Sequence, residues 1–269
     1  MKIFLTGSTG YLGSNIKKDI PAEYFCYTRG DDIINDLWNF KPDCIIHSAA
    51  EIYDVTKMFN SNVLLTQQIL SYMTSHDIKM IYIGSSSEYG KVDTPMSERT
   101  LPDPYSIYAA TKTCGTLLCQ AYAREYNRDI CIVRPFSVYG SNEPQRRLIP
   151  TLYRNILEGK KTVMIRGSHD FVYIKDFIRL IQIILNSTST KDNIINCGTG
   201  KSYLNYEVYE LMRDIMKKEC EVEMHDIIKP QDSEIWKCDI RSAHIKYGFL
   251  YQYEFKDGLK EYINERLTT

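Results

Sequence analysis

The chain has 269 residues, a formal net charge of −1, 43% hydrophobic and 25% charged residues, enough for one large α/β domain with or without a smaller lobe. The near-neutral balance gives no footprint for nucleic acid or an anionic membrane surface, and no apolar run approaches the ~20 residues that span a bilayer. Eight cysteines are scattered without a CxxC pair, three of them (Cys26, Cys44 and Cys131) inside apolar runs; this reads as buried thiols of a cytoplasmic protein, with no metal site expected.

In chain order, an apolar strand is expected at Lys2–Thr6. It runs into Gly7-Ser8-Thr9-Gly10-Tyr11-Leu12-Gly13 and then a helix over Tyr11–Ile20. A glycine-rich turn between strand and helix suits a pyrophosphate. One glycine makes the tight turn, the next lets the backbone approach the ligand, and the third lets helix and strand pack closely. The helix start then turns free N–H groups and a positive dipole end toward the phosphates. Further strands are expected at Tyr24–Tyr27, Asp43–Ser48, Lys79–Gly84 and Asp129–Arg134, separated by helices at Ile33–Phe40, Val55–Ser75 and Ser106–Tyr126. This alternation predicts an α/β fold with a doubly wound parallel sheet. Past about residue 137 the pattern changes. A polar loop at Tyr139–Arg147 precedes a helix at Pro150–Leu157, a strand near Thr162–Ile165 and a helix at Val172–Leu185. Then come a helix at Tyr206–Lys218, a strand at Val222–Met224 and a last helix at Lys256–Arg266. The expected division is a dinucleotide-binding domain over residues 1–140, with some later segments returning to it, and a smaller substrate lobe over 141–269. That lobe is expected to pack against the carboxyl ends of the sheet strands, where open α/β sheets bind ligands.

Three stretches carry candidate chemistry. Tyr108 and Lys112 lie four apart in a helical segment, so both side chains project from one face. An ammonium beside a phenol favours the phenolate, which makes the tyrosine a proton donor and acceptor. Gly84-Ser85-Ser86-Ser87-Glu88-Tyr89-Gly90 follows a strand and offers hydroxyls at a strand end. His47-Ser48-Ala49-Ala50 also ends a strand; its small residues admit a flat ligand, and His47 reads as a structural hydrogen-bonding group.

Taken together and in order, these elements resemble the extended short-chain dehydrogenase/reductases, a family acting mainly on nucleotide sugars. The same resemblance runs through Asn62-Val63, Arg134-Pro135-Phe136-Ser137-Val138-Tyr139-Gly140, Asp170-Phe171-Val172-Tyr173-Ile174-Lys175-Asp176, Asn196-Cys197-Gly198 and Asp257-Gly258-Leu259. It implies a Rossmann-type sheet with Ser85, Tyr108 and Lys112 as the catalytic set, Lys112 also holding the nicotinamide ribose. It further implies cofactor contacts from Gly7, Thr9, Gly10, Tyr11, Leu12, Gly13, Asp36, Leu37, Ala49 and Ala50. Substrate contacts are implied at Ser86, Ser87, Ser137, Arg147 and Lys229, the substrate being a nucleoside-diphosphate sugar. Members of the family usually form homodimers by pairing the long helices that correspond here to Val55–Ser75 and Ser106–Tyr126.

Departures from the family pattern narrow the branch. The dehydratases carry an acidic residue where this chain has Ser87. GDP-fucose synthase carries an epimerising cysteine at that same place and a histidine where Arg147 stands. Water elimination and double epimerisation are therefore not expected. The segment Tyr27-Thr28-Arg29-Gly30-Asp31 lacks the acidic residue that binds the adenosine ribose in NAD enzymes. Arg29 instead suits a 2′-phosphate. NADP(H) is thus the expected cofactor, with NAD(H) left open by Asp31 and Asp32. The short stretch from Arg29 to Pro42 and the Glu88-Tyr89-Gly90 run favour a 4-ketoreductase of deoxysugar nucleotides. A 4-epimerase with the same catalytic set is the alternative.

Overall fold

Short apolar strands alternating with amphipathic helices build two compact units in the computed structural model, which describes residues 1–92, 94–188, 190–191, 193–228 and 235–267. The first unit comprises residues 1–90, 98–135 and 178–196; the second comprises 91–97, 136–177 and 197–269. In chain order the elements are β1 (Lys2–Thr6), α1 (Tyr11–Asp19), β2 (Glu23–Tyr27), α2 (Ile33–Phe40), β3 (Cys44–His47), α3 (Val55–Phe59), α4 (Leu65–Met73), β4 (Lys79–Ile83), α5 (Ile107–Glu125), β5 (Ile130–Pro135), β6 (Ser137–Tyr139), α6 (Leu148–Glu158), β7 (Thr162–Arg166), β8 (Ser168–His169), β9 (Phe171–Tyr173), α7 (Ile174–Asn186), β10 (Asn193–Cys197), β11 (Tyr203–Leu204), α8 (Asn205–Met216), β12 (Val222–Ile228), α9 (Arg241–Tyr247) and α10 (Phe255–Leu267).

The first unit holds a six-stranded sheet in the order β10-β5-β4-β3-β1-β2. Its β1–β2, β1–β3, β3–β4 and β4–β5 pairs are parallel. This is the doubly wound α/β sheet expected from the alternation. Every residue of β3 and β5 is buried, as strands covered on both faces must be. Phe4, Ile45, Met80 and Ile132 of the strands pack with Leu37, Ile69, Leu70 and Met73 of the helices.

Three local features differ from expectation. The single helix expected over Val55–Ser75 is two α-helical segments joined by a π-helical turn at Asn60–Leu64. Such widened turns recur at functional sites, and this one carries Asn62, whose amide is drawn out of the helix to partners described below. The segment Val172–Leu185, expected to be all helix, begins in β9, and the helix starts at Ile174. The sixth sheet strand, β10, was not expected: Ile194-Ile195 between asparagines is too short an apolar run to signal a strand by itself.

The second unit contains three two-stranded sheets, β6-β9 and β7-β12 parallel and β8-β11 antiparallel. Its buried hub is Asp170, whose carboxylate accepts hydrogen bonds from the backbone N–H groups of Thr199, Gly200 and Cys238 and from the Thr199 hydroxyl, at 2.7–3.0 Å. One carboxylate thereby ties three segments distant in sequence. No helix among the described residues is long and apolar enough to cross a membrane.

Candidate active site

The glycine turn has the geometry a pyrophosphate cradle needs. Gly7 has φ +73°, in the left-handed region, and its carbonyl accepts from Gly10 N–H at 2.9 Å. A Cβ on Gly7 would sit 2.7 Å from Ala49 N, and one on Gly13 would sit 2.1 Å from the Gly7 carbonyl oxygen. Both glycines are therefore required by close backbone approach. Helix α1 follows Gly10, which supplies no side-chain cap, so its first turn keeps N–H groups to offer an anion. Thr9 and Gly10 are exposed, and Tyr11 and Leu12 are half-buried. The residues present fit a dinucleotide phosphate group at this turn.

Beside the turn, Thr6, His47 and Ala49 form one network. Thr6 Oγ1 lies 2.7 Å from His47 Nδ1 and accepts from Ala49 N–H at 3.1 Å, while His47 Nε2 lies 2.8 Å from Thr66 Oγ1. Burial pushes the His47 pKa down to about 3, and the nearby Lys112 charge acts in the same direction. His47 is thus a neutral brace for the β3 end.

Tyr108 and Lys112 sit one turn apart on α5. Tyr108 is half-buried and Lys112 is 2% exposed. Lys112 Nζ lies over the Tyr82 ring, 4.2 Å from its centroid. Burial draws the lysine pKa down to about 8, with the Glu88 carboxylate pulling it back up. Gly115 of the same helix allows this packing, since a Cβ there would meet the Tyr82 hydroxyl at 2.1 Å. Asn62 joins the helices: its Oδ1 accepts from Glu51 N–H at 2.7 Å, and its amide nitrogen donates to Glu51 O at 3.0 Å and Thr111 Oγ1 at 2.9 Å.

Ser85 caps a 3₁₀ turn at Ser86–Tyr89 just beyond β4. Its hydroxyl accepts from Ser87 N–H at 3.2 Å and pairs with the Ser87 hydroxyl at 2.7 Å. Its backbone N–H donates to Glu88 Oε1 at 2.8 Å. The other Glu88 oxygen accepts from Arg134 Nε at 3.0 Å and lies 2.9 Å from Arg134 Nη2; both side chains are almost wholly buried. The Arg134 guanidinium covers the Tyr89 ring at 4.6 Å. In the sequence Glu88 stands out only within the Glu88-Tyr89-Gly90 run. Its partnership with Arg134 across two strand ends needs the fold to be seen.

The remaining expected residues are placed as follows. Arg29, just past β2, has Nη1 and Nη2 each 3.4 Å from Glu51 Oε2. Leu37 is fully buried in the core of the first unit. Asp36 lies beside it on α2, not at a strand end. Ala50 and Ser87 are half-buried, and Ser86 is buried. In the second unit, Ser137 opens β6 and its N–H donates to Asp170 O at 2.9 Å. Arg147 precedes α6 and pairs with the buried Glu143 at 3.3 Å. Lys229 lies outside the described residues.

Known proteins match this chain over most or all of its length. The family model described as "NAD dependent epimerase/dehydratase family" matches residues 3–198. An uncharacterized UDP-glucose epimerase of Bacillus subtilis is 25% identical over 304 aligned residues, covering 96% of this chain and 96% of the relative. The GDP-6-deoxy-D-mannose reductase of Pseudomonas aeruginosa is 25% identical over 250, covering 82% of each. Among solved structures, MoeE5 in complex with UDP-glucuronic acid and NAD has a TM-score of 0.91 at 22% identity, with both chains covered completely. RMD from Pseudomonas aeruginosa complexed with NADPH has a TM-score of 0.86 at 21% identity, covering 98% of each chain. At these identities the two structures speak to the fold.

The Glu88–Arg134 pair generates a stability prediction. Glu88→Gln keeps an oxygen for the Ser85 N–H but leaves the buried guanidinium uncompensated, at a cost of about 3–5 kcal/mol. Removing both charges with Glu88→Gln/Arg134→Met recovers part of that loss. Urea unfolding of the single and double variants measures both; a single-variant loss below about 1 kcal/mol contradicts a buried, charged pair.

Proposed function

The chain belongs to the NAD dependent epimerase/dehydratase family, and on that premise we propose that it is an NADP(H)-dependent reductase of a nucleotide-linked 4-keto-6-deoxyhexose or a related keto-sugar. The observation that carries this reading is the Ser85/Tyr108/Lys112 set, on elements of the same unit as the glycine cradle. With its pyrophosphate at that cradle, the dinucleotide would supply from its nicotinamide the hydride that reduces the sugar carbonyl. Ser85 hydrogen-bonds the carbonyl oxygen and Tyr108 gives it a proton, so that one hydride and one proton convert ketone to alcohol. Lys112 holds positive charge beside the phenol and stabilises the phenolate left behind. Cofactor contacts from Gly7, Thr9, Gly10, Tyr11, Leu12, Gly13, Asp36, Leu37, Ala49, Ala50 and Lys112 belong to this reading, with Arg29 offered to a 2′-phosphate. Substrate contacts from Ser86, Ser87, Ser137, Arg147 and Lys229 belong to it as well.

Water elimination is unsupported. Ser87 supplies no carboxylate, and the carboxylate of Glu88 is taken up by Ser85 N–H and Arg134. A second reading, an NAD-dependent 4-epimerase with the same three residues, is favoured by one observation: Arg29, the group offered to a 2′-phosphate, faces the Glu51 carboxylate. A homodimer is part of the proposal. Ile107, Cys114 and Leu117, spaced seven and three apart, expose one face of α5, and Val55 and Phe59 are exposed on α3.

Three measurements test these statements. Tyr108→Phe lowers kcat by about 10²–10⁴-fold while leaving cofactor affinity unchanged; an unaltered kcat removes Tyr108 from the reaction. Reductive turnover falls as pH rises through about 8, where the depressed pKa of Lys112 releases its proton, and a flat profile across that range contradicts the role given to Lys112. In light scattering Leu117→Arg shifts the protein from dimer to monomer; a variant that stays dimeric rules out the α5 face.

A further inference from the structure

Glu51 is the side chain the proposed chemistry leaves unused, and it is held unusually firmly for a loop residue. Its Oε1 accepts from the backbone N–H groups of Ile52, Tyr53 and Asp54, each at 3.2 Å. Its own backbone is clamped at N and O by the Asn62 amide. Those hydrogen bonds lower the carboxyl pKa, with Arg29 contributing in the same direction, so the group is an anion at neutral pH. Oε2 then faces Arg29 at 3.4 Å.

The position of this pair follows from the strand order. Strand β1 lies between β2 and β3, Arg29 follows the end of β2, and Glu51 follows the end of β3. The pair therefore spans the carboxyl end of β1, beside the start of the glycine turn. In sheets of this kind the adenosine ribose is read by an acidic residue at the end of β2. This chain has Arg29 in that segment, and a fixed carboxylate arrives from the neighbouring strand.

We propose that Glu51 sets the cofactor choice of this enzyme, by occupying Arg29 and presenting its own carboxylate to the ribose 2′ position. The inference rests on the reading of the glycine turn as a dinucleotide site and extends it. A 2′-hydroxyl donates to a carboxylate and leaves the pair intact. A 2′-phosphate has to take Arg29 from Glu51 and lie beside a like charge that three backbone N–H groups hold in place. Arg29 alone would select the phosphate strongly; opposed by Glu51 it selects weakly, so NADPH keeps a small advantage and NADH is also accepted. Because Arg29 is largely exposed and Glu51 mostly buried, the arginine is the partner free to turn toward a phosphate, while the carboxylate stays.

Isothermal titration of NADPH and NADH into wild-type, Glu51→Gln, Arg29→Gln and double-variant protein tests this without any assay of turnover. The expected result is that Glu51→Gln tightens NADPH relative to NADH by about tenfold, the scale of one charge-assisted contact. Arg29→Gln weakens NADPH selectively, and the double variant shows no gain. The glutamine keeps an acceptor for the backbone N–H groups, and a thermal melt of each variant verifies folding. A Glu51→Gln ratio within twofold of wild type overturns the proposal, as does a gain that survives in the double variant. If Glu51→Gln fails to fold, Arg29→Gln decides: equal loss of both cofactors, or of neither, overturns it. Wild-type protein that binds neither cofactor overturns the dinucleotide reading itself. Wild-type protein that binds both but interconverts sugars without net redox change overturns the reductase and leaves the role of Glu51 standing.

Discussion

The site depends on one buried ion pair. Glu88 and Arg134 lie out of water at the carboxyl ends of two adjacent sheet strands, β4 and β5. Removing such charges from solvent costs several kcal/mol per ion, so the arrangement persists only because the two charges compensate each other. Glu88 has one oxygen on Arg134 and the other on the Ser85 backbone N–H. The requirement reaches outward into the sequence. Gly84 leaves room for the pair, since a Cβ there would lie 2.6 Å from Glu88 Oε1 and 3.3 Å from the Arg134 stem. The 3₁₀ turn that presents Ser85 is closed by the same carboxylate. The same negative charge also supports the protonated form of buried Lys112. The pair is better understood as fixing geometry and charge around Ser85 and Lys112 than as a source of net stability.

A second constraint couples the two halves of the proposed cofactor site. Asn62, brought out of its helix by a π turn, bonds both Glu51 on the β3 loop and Thr111 on α5. Thr111 sits between Tyr108 and Lys112 in sequence, so one amide links the loop facing Arg29 to the helix carrying the tyrosine and lysine. A widened turn is a cost in regular helix geometry, and here it is spent on placing that amide.

Much of the fold could be read directly from the residues. The Gly7–Gly13 spacing, the strand-helix alternation and the all-apolar β3 marked the sheet, because each reflects a local rule: backbone approach, helical period and two-sided burial. The Tyr108/Lys112 spacing placed both groups on one helix face. Features made by distant residues were not legible. Glu88 could not be seen as the partner of Arg134, 46 positions away, nor Glu51 as the partner of Arg29. β10 joins the sheet through tertiary pairing rather than through its own short apolar run. That Leu37 of α2 lies in the core beside Ile33 and Met73 likewise depends on the assembled sheet. Asp170 appeared only as part of a family string, and its work as a hub for three segments depends on contacts up to 68 residues apart.

The central claim is that Ser85, Tyr108 and Lys112 form a single acid/base centre at which hydride reaches a sugar carbon. It is tested most directly by turnover of a nucleotide-linked 4-keto-6-deoxyhexose with NADPH carrying deuterium at both hydrogen positions of nicotinamide C4, followed by mass and NMR analysis of the sugar product. The account predicts one deuterium per product molecule, bonded to the former carbonyl carbon, with an equal amount of oxidised cofactor released. A product that forms without deuterium at that carbon, or without net oxidation of the cofactor, contradicts it.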